Sequence, residues 1–188
     1  KASERDVKTI ARRVENLLSY GKNHPYGEYA SEASVNKIKI SDIEELYLER
    51  FYPQNTYVII VGDINFNIAK NLTQKYFGNW QKGKITKSRF ETPKNLDQTA
   101  IAFVEVPNAV QSEISILSTA AITKNDPEYY PLLIANQILG GGAEARLFLN
   151  LREDKGYTYG SYSNYSFNHK THSRLRAYAS VRNVVSDS

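Results

Sequence analysis

Residues 139–163 read LGGGAEARLFLNLREDKGYTYGSYS, and this stretch decides the fold. Three glycines at 140–142 lie between two helical patterns, and the second pattern ends at Leu151-Arg152-Glu153. Gly156 then opens a run rich in tyrosine, a residue type that favours strands. The order of helix, glycine cluster, helix and strand predicts that a helix end is followed closely by a strand.

The glycine cluster is superficially similar to a phosphate-binding loop. A phosphate loop follows a strand and ends in Gly-Lys-Ser or Gly-Lys-Thr, whereas this cluster follows a helical pattern and continues into Ala143. We therefore predict that residues 140–142 form a flexible hinge between two helices.

Apolar residues recur with helical spacing in several segments of the chain. They predict a helix over 3–20, which Gly21 ends. Ser3 and Asp6 resemble a capping box at its start. Further helices are predicted from Ser41, with Glu44 as its capping partner, to the residue before Pro53, over 66–77, from Pro127 to 140, and around 147–151 up to Gly156.

Strands are predicted from continuous and alternating apolar patterns. The β-branched run at 56–61 is typical of a central strand covered on both faces. The segment 173–182 alternates strictly, so that one face is apolar and the other is polar and cationic. The apolar face consists of Leu175, Ala177, Ala179 and Val181, and the cationic face includes Arg174, Arg176 and Arg182. The remaining strands are predicted over 98–106, 112–121 and 157–167.

The composition restricts the chemistry of the protein. The 188 residues are 41% hydrophobic and include no Cys, which excludes disulfides, thiolate catalysis and Cys-ligated zinc. The net charge of +4 is scattered along the chain, so nucleic-acid binding is not expected. A basic nucleic-acid module, which would bind duplex DNA with a strong salt dependence, is a third hypothesis beside the two developed below. Met is also absent, so we expect Lys1 to begin a processed product, an excised segment or a fragment.

The three histidines do not form a recognisable metal site. His24 lies in a turn before Pro25, where a structural role is expected. His169 and His172 have i, i+3 spacing, but they flank a predicted hairpin turn, where side chains are usually solvated. The sequence contains no His-Glu-x-x-His pattern, and no Ser-His-Asp or Cys-His arrangement can be assembled. We therefore predict no zinc site within this chain.

Arg152 is the leading candidate for a functional side chain. At a helix end its guanidinium either interacts with the helix dipole in solvent or donates to a bound peptide carbonyl or developing oxyanion. Tyr157 or Tyr159 could donate a second hydrogen bond from the strand that follows. The residues alone leave these alternatives open.

Together these segments resemble the pitrilysin/insulinase family of zinc metallopeptidases, also called the processing-peptidase family. His24-Pro25-Tyr26-Gly27 resembles the HPYG turn of that family, and residues 51–63 resemble its strand that begins F-Y-x-P-x-N. Residues 139–159 resemble its signature LGGG…SRLF…LRE-x-G-x-x-Y. The three pieces span most of the chain, and their order and spacing make the resemblance specific.

The resemblance implies repeated α+β units, each with a mainly antiparallel sheet and helices packed on one face, around a substrate chamber. It implies that 1–80 is the C-terminal half of one repeat, 81–97 a polar linker, and 98–188 the N-terminal half of the next, inactive-type repeat. The zinc ligands of the family would lie upstream of Lys1. Two such halves could fold as a permuted repeat or exchange between chains in a domain-swapped dimer.

In the family, an Arg and a Tyr of the inactive domain hold the peptide at the scissile bond. They correspond here to Arg152 and to Tyr157, with Tyr159 as the competing choice. The resemblance thus implies a fragment of a zinc-dependent endopeptidase that binds peptide or unfolded protein but is inactive alone. The alternative is a non-catalytic partner or assembly subunit of the same fold.

The resemblance also implies partners and a location. The remaining repeats of a parent protein, or a partner subunit, would complete the chamber and hold the zinc. Absence of Cys is compatible with an oxidising compartment, so a periplasmic or secreted location is expected.

Overall fold

The computed structural model describes residues 6–84, 91–169 and 171–188. The helices are α1 (Val7–Tyr20), α2 (Glu32–Val35), α3 (Ile40–Arg50), α4 (Phe66–Phe77), α5 (Tyr129–Gly140) and α6 (Arg146–Phe148), which continues as a π-helix (Leu149–Asp154). The strands are β1 (Gln111–Ala120), β2 (Thr158–Ser166) and β3 (Ser173–Arg182). Helices combined with an antiparallel sheet confirm the predicted α+β class.

The chain divides into two compact units, residues 1–29 with 90–188, and residues 30–89. The larger unit contains α1, the sheet, α5 and α6, and the smaller unit contains α2, α3 and α4. This division describes packing, and in it α1 belongs with the C-terminal segment. The assignment of 1–80, 81–97 and 98–188 to half-repeats and a linker stays a prediction, as does a permuted or domain-swapped arrangement.

The sheet of the larger unit has the strand order β1-β3-β2 and is antiparallel throughout. β3 forms at the predicted residues, because its strict alternation matches the two-residue period of a pleated strand. At one end of the ladder, Gln111 of β1 pairs with Arg182 of β3. Between Thr158 and Ser161 the register of β2 shifts by a bulge, which increases the local twist at the start of that strand.

The two faces of the sheet carry different helices. Val181 is buried on the apolar face, where Ser163 Oγ donates to the backbone oxygen of Asn136 in α5 at 3.3 Å. α1 lies against the opposite face, where Arg176 contacts Glu15. The cationic face predicted from the alternation of β3 is therefore partly covered by a helix.

A buried ion pair attaches α1 to the sheet. Arg176 Nε and Nη2 donate to the two carboxylate oxygens of Glu15 at 2.7 and 2.8 Å, and Ser115 Oγ donates to Glu15 at 2.6 Å. Burial, the largest influence, acts to raise the pKa of Glu15, but the hydrogen bonds from Arg176 and Ser115 outweigh it and the pKa is lowered. Glu15, which is 4% exposed, is therefore an ionised carboxylate inside the fold.

Local signals define both ends of α1. The Asp6 carboxylate accepts hydrogen bonds from Thr9 N at 2.8 Å and Thr9 Oγ1 at 2.6 Å, so Asp6 is the N-cap. Gly21 ends the helix with φ of 80°, a conformation that glycine adopts without steric cost. Ser3, the predicted partner of Asp6, lies outside the described residues.

The predicted cap of α3 is wrong. The helix begins at Ile40, with Lys39 as its N-cap residue, and the Asp42 carboxylate accepts from Lys39 N at 2.9 Å. Asp42 stands three residues after Lys39, the spacing at which a carboxylate reaches back to the first free N–H. Ser41 and Glu44, the predicted pair, therefore lie inside the helix.

α5 begins at Tyr129, two residues after the predicted start at Pro127. Asp126 Oδ1 accepts from Glu128 N at 3.0 Å, and the Asp126 carbonyl accepts from Tyr129 N at 3.0 Å. These bonds close a turn before the helix, so Asp126 caps a turn and not the first helical residue. The helix ends at Gly140 as predicted.

Gly140 brings α5 into close contact with β2. A Cβ atom at this position would lie 2.3 Å from the backbone nitrogen of Ser163 and 2.8 Å from the carbonyl carbon of Tyr162. Both distances are shorter than side-chain carbons tolerate. Glycine is needed here because the helix packs closely on the strand. The prediction of a hinge at 140–142 did not include this packing role.

We expect Gly140→Ala to lower the free energy of unfolding of the chain by about 1–3 kcal/mol, because the added methyl group forces α5 away from β2. Gly142→Ala is the matched control, since its Cβ would have its nearest neighbour at 3.7 Å. Urea denaturation followed by circular dichroism measures both variants. Equal losses of stability in the two would contradict the packing role of Gly140.

Two predicted strands are not formed. The segments 56–61 and 98–106 form no strand and pair with no strand among the described residues. Their side chains are open to solvent, with Tyr57 and Val61 each 93% exposed and Ile101 also 93% exposed. An apolar extended segment becomes a strand only when a neighbour accepts its backbone hydrogen bonds, and the described chain supplies none.

The smaller unit exposes an apolar stripe on α3. Ile43, Leu46 and Tyr47 of α3 are each more than half exposed. Among the described residues, no helix is long and apolar enough to be a candidate membrane span. The exposed side chains of α3 form the apolar stripe of an amphipathic helix.

Candidate functional site

The helix end that carries Arg152 is widened into a π-helix over Leu149–Asp154. Lys155 N donates to the Asn150 carbonyl at 3.0 Å, a bond to the fifth preceding residue instead of the fourth. Gly156 N then donates to the Arg152 carbonyl at 3.1 Å. The helix thus ends near Gly156 as predicted, but with a wider last turn of the kind often found at functional sites.

The backbone of Tyr157 is attached to the same helix end. Tyr157 N donates to the Leu151 carbonyl at 2.9 Å. Gly156 has φ of 64°, which lets the chain reverse direction between the helix and the strand. β2 begins at the next residue, Thr158. Tyr157 and Arg152 are therefore fixed relative to each other through hydrogen-bonded backbone.

The Arg152 side chain lies over an aromatic ring. Its guanidinium carbon is 4.8 Å from the centre of the Phe148 ring, and Phe148 is buried. Arg152 Nε is 3.5 Å from a carboxylate oxygen of Glu153, in a pair whose side chains are both about half exposed. Such an exposed pair is weak, so Arg152 keeps donors that another group can engage.

The two candidate tyrosines lie in one cavity of about 310 Å³. The cavity is lined by Gln111, Gly156, Tyr157, Thr158, Tyr159 and Arg182. Arg152 is not among the lining residues. The structure thus brings Tyr157 and Tyr159 together and connects Arg152 to them through the backbone alone.

The bulge at the start of β2 shapes this cavity. Thr158 Oγ1 accepts from Gly160 N at 3.1 Å and lies 2.7 Å from the carbonyl oxygen of Ser180 in β3. This cluster holds the extra residue of the bulge. Tyr159 is 87% exposed as a result, whereas Tyr157 is partly buried.

Sequence reasoning did not place Arg182 and Gln111 at this site. The alternation of β3 assigned Arg182 to the cationic face, but its position beside the tyrosines depends on the registers of two strand pairs. The register of β2 includes the bulge, which no motif in the sequence marks. Only the length of the predicted hairpin could have indicated which residues face one another.

His24 has the structural role expected for it. The residue is 1% exposed, its Nδ1 accepts from Tyr26 N at 3.0 Å, and its Nε2 lies 3.2 Å from Thr171 Oγ1. Since Nδ1 is the acceptor, the proton of the neutral ring is on Nε2. Burial lowers the pKa of His24, which keeps the ring neutral. The HPYG turn is thereby joined to the hairpin between β2 and β3.

The described residues do not offer a set of zinc ligands. Within 6–84, 91–169 and 171–188, no group of three or more His, Cys, Asp or Glu side chains is arranged to hold a metal ion. His169 and His172 belong to no such group. A catalytic zinc site needs three protein ligands, so the residues described here do not fit the metal that the resemblance implies.

Comparison with known proteins agrees with the resemblance seen in the sequence. The family model described as the peptidase M16 inactive domain matches residues 37–183. An uncharacterized zinc protease of Bacillus subtilis, YmxG, is 28% identical over 162 residues, which are 81% of this chain and 37% of that protein. A probable inactive metalloprotease of the same organism, YmfF, is 24% identical over 145 residues, 73% of this chain and 32% of that protein.

Solved structures share the fold. A peptidase M16 inactive domain from Pseudomonas fluorescens superposes with a TM-score of 0.85 at 23% identity, covering 99% of this chain and 44% of that one. A protease from Helicobacter pylori gives a TM-score of 0.77 at 17% identity, covering 94% and 43%. The chain spans less than half the length of these relatives. Because the family model matches well over half of its residues, the chain belongs to the peptidase M16 inactive-domain family.

Proposed function

We propose that this chain is the substrate-holding part of a larger zinc-dependent endopeptidase and is inactive alone. Relatives that carry the name zinc protease support the activity of the parent. Zinc would be held by residues outside this chain, where it would polarise the scissile carbonyl. The residues of this chain would hold the peptide beside it.

The single observation that carries the proposal is the backbone connection between Arg152 and Tyr157. Gly156 N and Tyr157 N donate to carbonyls of the π-helix that contains Arg152. A guanidinium and a phenol held by one rigid turn are suited to donating to a single carbonyl oxygen, since positioning is most effective when donors do not move.

The same observation favours Tyr157 over Tyr159 as the second donor. Tyr157 is joined directly to the helix end, whereas Tyr159 stands beyond the first hydrogen bonds of the bulge and is 87% exposed. A side chain held closer to Arg152 and more shielded from water forms the stronger hydrogen bond to developing charge. We therefore assign the donor role to Tyr157.

In the full-length protein, Tyr157→Phe is expected to lower kcat for peptide hydrolysis by about 10²-fold, the scale of losing one oxyanion donor. Tyr159→Phe, which removes a hydroxyl from the same cavity, is the matched control and should keep most of the activity. A continuous assay with an internally quenched peptide measures both. Full activity of Tyr157→Phe would contradict the assignment, and a loss confined to Tyr159→Phe would transfer the role to that residue.

The uncovered apolar surfaces support the proposal that further repeats of the parent complete the fold. Apolar side chains are exposed on the stripe of α3 and in the segments 56–61 and 98–106, as far as the described residues show. A few hundred Å² of contiguous apolar surface is usual for a monomer, and larger surfaces are contact sites. We propose that backbone pairing and burial of these segments come from sequence that the relatives possess and this chain does not.

One relative gives weight to a second function. YmfF carries the name probable inactive metalloprotease, so a non-catalytic peptide-binding or assembly subunit is the alternative for the parent of this chain. The two proposals differ in whether the full-length protein contains zinc. Elemental analysis of the purified full-length protein that finds no zinc, together with peptide binding lost in Arg152→Ala, would favour the alternative.

A further inference from the structure

A row of side chains lies at one end of the sheet. Gln111 of β1 pairs with Arg182 of β3. On the other side of β3, Thr158 pairs with Val181, the neighbour of Arg182, and Tyr157 directly precedes Thr158 in the chain. Gln111, Arg182 and Tyr157 also line the same cavity. The register and the cavity therefore agree that these three side chains are neighbours.

Arg182 is the charged member of this row, and its charge is not compensated. On the same face of β3, Arg176 is paired with Glu15. The Glu113 carboxylate on β1 accepts a hydrogen bond from Ser180 Oγ. Arg182 is exposed, and no described carboxylate lies within ion-pairing distance of it. The cavity is therefore lined by one free guanidinium and no carboxylate.

We propose that this cavity is a subsite for a carboxylate of the bound peptide, with Arg182 as the residue that recognises it. This inference rests on the proposed function, because it gives the peptide held by Arg152 and Tyr157 a second point of attachment. A guanidinium offers paired N–H donors that match the two oxygens of a carboxylate. The Gln111 amide supplies a further donor beside it.

The neighbouring groups fit a peptide better than a small free anion. Tyr157 and Tyr159 add aromatic surface to the cavity, which suits the apolar part of a side chain. Residues 156–159 line the cavity at the start of β2. They directly follow the helix that carries Arg152, to which the backbone of Tyr157 is hydrogen-bonded. A peptide contacted by Arg152 would thus pass the cavity with an adjacent residue.

The carboxylate has two sources in a peptide, an acidic side chain and the C-terminus, and binding to the chain itself distinguishes them. The probes are short acetylated Gly-Ser peptides. One has a central Glu and an amidated C-terminus, one has a central Gln and a free C-terminal carboxylate, and one has a central Gln and an amidated C-terminus. Each is titrated into the isotope-labelled chain, and the NMR signal of the Arg182 Nε–H group reports contact.

We expect at least one carboxylate-bearing probe to bind about tenfold more tightly than the neutral probe and to shift the Arg182 signal. The probe that does so identifies the source. Arg182→Gln should remove the preference for the carboxylate-bearing probe. The backbone signals of the remaining residues should stay in place. Lys124→Gln, which removes an exposed charge beyond the opposite end of β1, is the matched control and should keep it.

Equal affinity of the three probes for the unchanged chain would overturn the subsite, as would a preference that survives in Arg182→Gln. Neither readout requires hydrolysis. Failure of the peptidase proposal would appear instead as absence of turnover in the full-length protein. A carboxylate preference that depends on Arg182 would then still stand as a property of the cavity.

Discussion

Replacing Arg176 with alanine is expected to lower the free energy of unfolding of the chain by about 3–5 kcal/mol, because it leaves the Glu15 carboxylate buried without its cation. Glu15 is 4% exposed and receives two hydrogen bonds from Arg176, at 2.7 and 2.8 Å. Urea denaturation at neutral pH, followed by circular dichroism, measures the loss.

The expected effect has two components that variants can separate. Arg176 also lies over the ring of Tyr178, with the guanidinium carbon 3.7 Å from the ring centre, so alanine removes packing as well as charge. Arg176→Met keeps much of the packing. Combining it with Glu15→Gln should restore most of the stability, since a neutral pair carries no desolvation cost for an unpaired charge.

Acid should diminish the difference between the unchanged chain and Arg176→Ala. The pKa of Glu15 is lowered in the fold, so the pair contributes fully above the pKa of an unfolded glutamate, about 4.3. Its contribution disappears as pH falls through the lower folded value. In Arg176→Ala the unpaired Glu15 is stabilised by taking up a proton. Stabilities that differ equally at neutral and acid pH would show that Arg176 acts through packing and not through Glu15.

Arg152→Ala provides a contrast for the same measurement. The Arg152–Glu153 pair is about half exposed on both sides, and exposed pairs contribute at most about 1 kcal/mol. Leu151 and Glu153 flank Arg152 in the sequence, and Leu175 and Ala177 flank Arg176, so the local sequence does not show how the two arginines differ. Their expected effects on stability differ because Arg176 is paired with a buried carboxylate, whereas the carboxylate beside Arg152 is exposed. A large loss of stability in Arg152→Ala would remove that contrast.

The sequence predicts well those elements whose pattern is complete within a short segment. β3 and α4 form at the predicted residues, because the alternation of one and the helical spacing of the other are complete within each segment. The segments 56–61 and 98–106 have equally clear strand patterns, yet no strand partner is present among the described residues. A strand pattern states only that a partner is needed, and it does not show that one is available.

The candidate site divides in the same way. Arg152 and Tyr157 could be proposed from the sequence, since a helix end and a strand start a few residues apart must be close in space. Glu15 and Arg182 could not. Glu15 forms an ion pair with Arg176, which is 161 positions away in the sequence. Arg182 lines the same cavity as Tyr157, and this placement depends on a strand register that includes a bulge. Contacts of this kind are determined by tertiary packing.

Arg152→Ala in the full-length protein is expected to lower kcat/KM for peptide hydrolysis by about one to three orders of magnitude, the scale of removing a donor to the developing oxyanion. The guanidinium lies over the buried ring of Phe148, and its helix end is connected by hydrogen bonds to the backbone of Tyr157. Its donors are therefore held before the peptide arrives, which is the condition under which electrostatic stabilisation is strongest. An internally quenched peptide assay on the folded variant measures the loss.

Arg152→Lys tests whether charge or geometry is required. Lysine keeps the positive charge but presents one compact ammonium group, without the paired donors of a guanidinium and with weaker stacking on an aromatic ring. If Arg152 donates to a carbonyl in the transition state, Arg152→Lys should recover only part of kcat, with KM changed less than kcat. Because Arg152→Ala is expected to unfold like the unchanged chain, a loss of turnover can be assigned to the lost donor. Unchanged turnover in both variants would exclude Arg152 from the reaction and leave it as an exposed cation at the end of a π-helix.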